Sequence, residues 1–282
     1  MASGGNTLPA MISCSVGPIT VIALPDAEGL FFQPRTEAFP TATAAHWQLA
    51  DERDPGAVTA DGQWQLPFRC FALRFDDGPA AGRVILVDAG IGPADAPARR
   101  WAPTPGRLPA ELAAAGITPE QVDTVVLTHL HTDHIGWAVT GAAGTPYFGN
   151  ARYLLQRAEI AAVGRHDPAG ITGYLLDPLT ATGQLDALDG DLRLAPEVRV
   201  LATPGHTPGH QSVLVEYADQ TLLLTGDLLV HALQLVAPEL PYAHEVDPVT
   251  ARGSRERLLT ELAARPAATL GTPHLSTPFV PL

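Results

Sequence analysis

Lysine is absent from this chain: all 17 basic residues among its 282 are arginine. Set against 30 acidic residues they leave a net charge of −13 at pH 7, and the densest basic stretch, Ala98–Trp101 (ARRW), holds only two of them. A nucleic-acid partner is therefore not expected, because such binding relies on Lys and Arg neutralising phosphates. Cysteine is scarce too. Cys14 and Cys70 are too few for a disulfide framework or a sulfur-rich metal site, and they read as free thiols that pack inside a cytoplasmic protein. No run of eighteen apolar residues occurs, so no membrane-spanning helix is expected. Residues 1–25 lack a basic leader, and Ser, Gly and Pro interrupt their apolar stretch, which argues against a secretory signal. What remains is a globular composition, 46% hydrophobic and 17% charged, in a chain long enough to bury a sizeable core. The expected organisation is a single domain over 1–282, with 1–18 as a flexible N-terminal segment.

Strand-like and helix-like runs alternate throughout, as in an α/β protein. Ile19–Pro25, Phe68–Phe75 and Arg83–Gly90 read as strands, and Leu108–Gly116 as a helix with a glycine stop. Thr118 and Pro119 then open a helical turn before a buried strand that runs into Thr128. In the second half, strands end near His206, Asp227 and His274, while Ala151–Val163 and Asp247–Arg265 read as amphipathic helices. Two strand-rich halves flanked by helices suggest sheet packed on sheet with helices outside. Pro25–Gly62, Ile91–Arg107 and His166–Asp191 are irregular, rich in Pro, Gly and Asp, and are candidates for the walls of a site.

Of only ten histidines, three fall in six consecutive positions together with an aspartate: His129, His131, Asp133 and His134, in the stretch THLHTDHIG. If the turn after the strand curls, the first two converge on one cation while the second two reach a neighbouring one. Imidazole nitrogen and carboxylate oxygen suit Zn²⁺, and a catalytic site leaves one position for water. A polar, solvated loop would read the same way on this stretch alone.

The surrounding pattern resembles the metallo-β-lactamase superfamily, whose marker is His-x-His-x-Asp-His after a buried strand. The likeness continues through VDAGIG with Asp88, TPGHTPGH with His206, TGD with Asp227 and GTPHLS with His274, all in the family's order. It implies an αββα sandwich with the site along the edge between the sheets. Carried over, His129, His131 and His206 would hold one metal, Asp133, His134 and His274 a second, and Asp227 would bridge them. Two divalent ions, zinc foremost, are thus implied, with a bridging hydroxide as nucleophile and Asp133 as its general acid/base. A homodimer is an assembly seen among such relatives, and no stretch of this sequence locates an interface.

Other residues keep two readings each. Asp88 could orient a ligand histidine or simply shape a strand-end turn. His210 reads as a structural, hydrogen-bonding histidine rather than an eighth ligand. His231 and His244 flank the apolar segment after Asp227, where at least one of them could face substrate and surface placement is the default. Phe31, Phe32, Trp47, Trp64 and Phe68 could line an entrance, although core packing is the more frequent fate.

Within the superfamily, TPGHTPGHQSVLVE and the full ligand set resemble the lactonase branch, while the C-terminal part, GDLLVH followed by DPVTARGSRERLLTELA and PHLSTP, resembles the methyl parathion hydrolase branch. The acyl-homoserine lactonases carry a catalytic tyrosine three residues after the bridging aspartate. Here Val230 holds that place, and His231 or Tyr242 is the candidate substitute. The expected function is a dinuclear metal-dependent hydrolase of an ester or lactone with an apolar substituent, acting on a small molecule. The alternative is a phosphotriesterase; β-lactam or thioester hydrolysis, or non-hydrolytic metal binding, ranks lower.

Overall fold

A computed structural model of the chain describes residues 11–141 and 144–282. Residues 1–10 of the expected flexible segment lie outside the described residues, but Ser13–Val16 is a strand paired antiparallel to the next, so the segment 1–18 is in part a sheet edge. Among the described residues no helix is long and apolar enough to cross a membrane.

The first sheet is built from β1 (Ser13–Val16), β2 (Ile19–Leu30), β3 (Gln65–Phe75), β4 (Val84–Val87), β5 (Val122–Val126), β8 (Arg152–Gln156) and β9 (Leu185–Leu188), hydrogen-bonded in that order. A small hairpin of β6 (Val139–Thr140) and β7 (Thr145–Pro146) lies outside it. Pairing is antiparallel from β1 to β4 and parallel from β4 to β9. The second sheet runs β10 (Leu192–Ala195), β11 (Val198–Ala202), β12 (Gln211–Tyr217), β13 (Gln220–Leu224), β14 (Ala267–Gly271) and β15 (Phe279–Pro281), and only its β13–β14 pair is parallel. The helices are α1 (Arg35–Ala38), α2 (Ala44–Arg53), α3 (Leu108–Ala114), α4 (Arg157–Arg165), α5 (Asp177–Ala181), α6 (Leu233–Val236) and α7 (Pro248–Ala263).

Period-two alternation in the strands sorts side chains into three cores. Val21 and Ala23 of β2 meet Val213 and Val215 of β12 between the sheets, while Ile22 and Leu24 point the other way onto Leu108 and Leu112 of α3. On the outside of the second sheet, Leu223 packs with Leu258 and Leu262 of α7, whereas its neighbours Leu222 and Leu224 face the first sheet. The result is four layers, helix, sheet, sheet, helix.

Three expectations need correction. The run Ala151–Val163 is not one helix: Tyr153, Leu154, Leu155 and Gln156 are buried in β8 between β5 and β9, and α4 begins only at Arg157. An apolar run of that length fits a doubly covered strand as well as a helix, and pairing decided it. Arg83–Gly90 is a shorter strand, because Asp88 adopts φ 62° and breaks the pleat. The irregular segments are more ordered than their composition suggests. The first contains the end of β2 and all of α2, and the last contains a helical turn at Thr172–Leu176, then α5 and β9.

Candidate metal centre

Four strands deliver the centre. His129, His206, Asp227 and His274 lie three or four residues beyond the ends of β5, β11, β13 and β14. The connections after these strands therefore meet along one edge of the sandwich, and all seven residues singled out in the sequence converge there. His129, His131, His206 and Asp227 form one group of donor atoms and Asp133, His134 and His274 another.

Asp227 faces both groups. Its Oδ2 lies 3.2 Å from His206 Nε2 and 3.7 Å from His129 Nε2, while its Oδ1 lies 3.3 Å from His134 Nε2 and 3.2 Å from His274 Nε2. Asp133 Oδ2 completes the second group at 3.4 Å from His134 Nε2 and 3.5 Å from His274 Nε2, and the two imidazoles stand 3.3 Å apart. Four donors around a cation at 2.0–2.1 Å would be separated by about 3.3 Å, so the second group has the edges of a coordination tetrahedron. In the first group His131 Nδ1 lies 2.9 Å from His129 Nε2 and 3.0 Å from His206 Nε2. Asp227 Oδ1 is buried without a hydrogen-bond partner, which a cation would supply. The residues present fit two divalent ions.

The outer ring nitrogens fix the tautomers. His134 Nδ1 meets Asp88 Oδ2 at 2.8 Å, His274 Nδ1 meets the carbonyl of Pro67 at 2.8 Å, and His129 Nδ1 meets Thr128 Oγ1 at 3.0 Å. Asp88 also accepts from the backbone N–H of Thr128 (2.7 Å) and from its hydroxyl (3.0 Å). Both readings of Asp88 thus hold together: it shapes the turn after β4 and orients a histidine.

Electrostatics divide the site. Burial, reinforced by the other histidines, holds His129 well below the usual imidazole range and His131 down to about 3, so both stay neutral as metal binding requires. Burial acts the same way on His134, but Asp133, Asp227 and Asp88 outweigh it and push that ring well above its ordinary value. For Asp227 burial opposes ionisation, and the surrounding imidazoles overcome it and keep the carboxylate charged.

His210 is structural. Its Nδ1 engages Thr203 (hydroxyl 2.8 Å, carbonyl 3.1 Å), and its Nε2 accepts from the backbone N–H of Asp227 at 2.9 Å, setting the bridging carboxylate in place. His231 does not reach the site. It is buried behind it among Phe39, Trp47 and Trp64, with Nδ1 accepting from the N–H of Leu233, which corrects the expectation that it could serve in place of a catalytic tyrosine. Tyr242 and His244 do line the site, and the Tyr242 ring stacks parallel to His206 at 6.1 Å.

Above the centre opens a cavity of about 590 Å³. All three segments singled out as walls contribute to it: Phe31 and Phe32, Trp101, and the stretch from His166 to Ile171. Trp64 lines it as well, whereas Trp47 and Phe68 belong to the core. Val230 occupies a wall position without any polar group.

Some supporting residues gave no signal in the sequence. Glu159 of α4, buried, accepts from the N–H of Leu130 (3.0 Å) and of Gly209 (2.8 Å), tying the loop of His131 to the loop of His206. A side chain at position 209 would collide with the Glu159 backbone at 2.3 Å, which explains the second glycine of TPGHTPG. Arg69 donates to the carbonyls of Thr272 (3.3 Å), Ser276 (2.7 Å) and Leu275, clamping the loop of His274. Arg255, fully buried, pairs with Glu245 at 2.7 Å, and Glu245 accepts from the N–H of Tyr242 at 3.2 Å.

A helix–sheet–sheet–helix sandwich with seven His and Asp donors grouped around a shared carboxylate defines a two-cation centre of the metallo-β-lactamase kind. The Metallo-beta-lactamase superfamily model matches residues 71–274, and the chain belongs to that superfamily. It is similar to an N-acyl homoserine lactonase of Bacillus cereus, 28% identical over 199 residues that cover 66% of this chain and 73% of the relative. It is also similar to one of Bacillus thuringiensis, 29% identical over 218 residues, 72% of this chain and 79% of the relative. Among solved structures, the dizinc quorum-quenching lactonase AidC superposes with a TM-score of 0.74 at 20% identity, over 96% of each chain, a likeness that establishes the fold.

Proposed function

We propose that the protein is a dinuclear metal-dependent hydrolase of small esters or lactones, with His129, His131, His206 and Asp227 holding one ion and Asp133, His134, His274 and Asp227 the other. The observation that carries this reading is the position of Asp227, one oxygen toward each donor group, at the floor of a cavity with a mostly apolar lining. An all-nitrogen-and-oxygen donor set favours zinc and also admits Mn, Fe, Co or Ni. When bound, such a pair of ions lowers the pKa of water and polarises a carbonyl oxygen.

The chain's own groups divide the remaining work. Asp133, a member of the second donor group that also lines the cavity, is placed to take a proton from the attacking water and return it to the leaving oxygen. Tyr242 takes the part of a hydroxyl donor. Burial, with the charges of Asp227 and Asp133 behind it, pushes its phenol upward, so it remains protonated and can donate to a developing oxyanion. Its arrival from the segment after α6, rather than from position 230, is how this chain supplies a tyrosine that the resemblance alone does not place.

The reading treats 1–282 as one domain, since a single core layer is shared by both sheets. Two unpaired cysteines support a cytoplasmic location. Turnover in ¹⁸O-water with zinc restored tests the chemistry. Label should enter the product acid in a single turnover, with none in a protein carboxylate. A covalent adduct trapped on a Ser, Cys or Asp refutes it. In a substrate panel, aryl esters and lactones should exceed phosphotriesters in kcat/KM, and glutathione thioesters should give no turnover.

A further inference from the structure

Aromatic rings in mutual contact link a histidine of one donor group to a histidine of the other, forming an arch whose members, the buried Phe68 apart, line the cavity. The path leads from His274 to Phe68 (centroids 5.8 Å apart), Trp101 (5.5 Å), Phe32 (5.8 Å), His244 (5.4 Å), Tyr242 (5.1 Å) and His206 (6.1 Å). Every step lies within the range over which rings attract one another, about 4.5–7 Å. Phe32, midway along, lines the cavity and is 60% exposed, so much of a large apolar ring is open to solvent there. Trp101 is fixed differently. Its indole N–H donates to Thr132 Oγ1 at 3.0 Å, and Thr132 stands between His131 and Asp133, so this ring is registered to the metal ligands themselves.

We propose that the cavity selects an ester or lactone whose acyl or leaving group carries a planar aromatic ring, with Trp101 as the specificity-determining residue. This deepens, and rests on, the hydrolase reading above. An alkyl chain of equal length, hexanoyl beside phenylacetyl, would bury comparable apolar area, but it loses more rotamer freedom on binding than a ring does. It also gains none of the ring–ring attraction that an aromatic group finds along the arch. The aliphatic lining, such as Ala162, Val163 and Ile171, receives either kind of group. The difference between substrates is therefore made at the arch.

The zinc-loaded full chain is assayed on paired phenylacetyl and hexanoyl esters that share one leaving group. The phenylacetyl ester should lead in kcat/KM by about two- to tenfold for each ring contact made. In Trp101→Leu the ratio should fall toward one, whereas Trp101→Phe, which keeps a ring, should retain most of it. A wild-type ratio of one or below, or a ratio unmoved in Trp101→Leu, overturns the proposal. Should neither ester be hydrolysed, the hydrolase reading fails, and the arch is read by tryptophan fluorescence with uncharged phenylacetamide and hexanamide. Tighter binding of phenylacetamide supports the arch, and equal or tighter binding of hexanamide overturns it.

Discussion

Replacing Glu159 by glutamine removes one charge and exchanges one acceptor oxygen for an amide donor, without changing the size of the side chain. Its carboxylate receives two buried backbone N–H groups, from Leu130 and Gly209. In Glu159→Gln one N–H keeps an acceptor and the other faces an NH₂ group. A hydrogen bond to a charged group contributes about 1.5–3 kcal/mol, so the loss should be about 2–3 kcal/mol. Glu159→Ala strands both donors and should cost about 3–6 kcal/mol. At roughly 2 °C per kcal/mol for a chain of this size, the melting temperature of the metal-free protein should fall by about 5 °C and about 10 °C respectively. The function should suffer along the same line. Leu130 sits between two ligands, and Gly209 closes the loop of His206, so the 3.0 Å approach of His131 to His206 loosens. Zinc affinity of the first group, measured by competition with a chelator, should drop roughly tenfold or more, as for other supports of metal ligands. A Glu159→Gln variant with wild-type melting temperature and wild-type zinc affinity would refute the reasoning.

Arg255→Met should destabilise by about 3–5 kcal/mol in denaturant titrations, because it leaves Glu245 charged and buried, while the double variant Arg255→Met, Glu245→Met should recover much of that loss. Additive losses would contradict a coupled pair. His231 is held down to about 3 by burial and the nearby Arg35 charge, below its unfolded value, so the unfolded chain binds more protons between about pH 6.5 and 3. This residue's share of stability is present above pH 6.5 and is lost on acidification, by an amount on the order of 4 kcal/mol at pH 3. His231→Asn, which keeps an acceptor for Leu233, should flatten that part of the stability–pH curve, and an unchanged slope would refute the assignment. Asp227→Ala should lower bound metal from two equivalents to less than one by elemental analysis, a larger loss than any other single ligand change gives. Retention of a full equivalent would mean that one group closes without it.

The residues of the two donor groups were legible in the sequence because they lie near strand ends in a pattern that resembles the superfamily's motifs. The stretch from His129 to His134 stands out by its spacing, whereas His206, Asp227 and His274 are picked out by the resemblance to the superfamily, whose order they follow. The supports carry neither signal, since their roles depend on what lies across space. Glu159 reads as an ordinary charge on an amphipathic helix, and its two donors are 29 and 50 residues away. Trp101 lies in an irregular segment, and only the fold brings its indole to Thr132. The helix expected over Ala151–Val163 failed for a related reason: Tyr153 to Gln156 carry no strand signature of their own and become a strand because β5 and β9 flank them. His231 misled because position in the chain placed it beside Asp227, whereas its ring is buried among Phe39, Trp47 and Trp64.

Neither sheet owns a complete set of donors. The first group joins His129 and His131, which follow β5, to His206 and Asp227, which follow β11 and β13, and the second joins Asp133 and His134 to His274 beyond β14. Each ion held there would therefore rivet one sheet to the other, across sequence separations whose closure costs loop entropy. Until the two sheets dock there is no place for metal to bind well, and once they have docked, every bound ion adds its binding free energy to the barrier against their parting. Zinc uptake during refolding should accordingly lag the appearance of secondary structure, and it clocks the moment at which the two halves become one molecule.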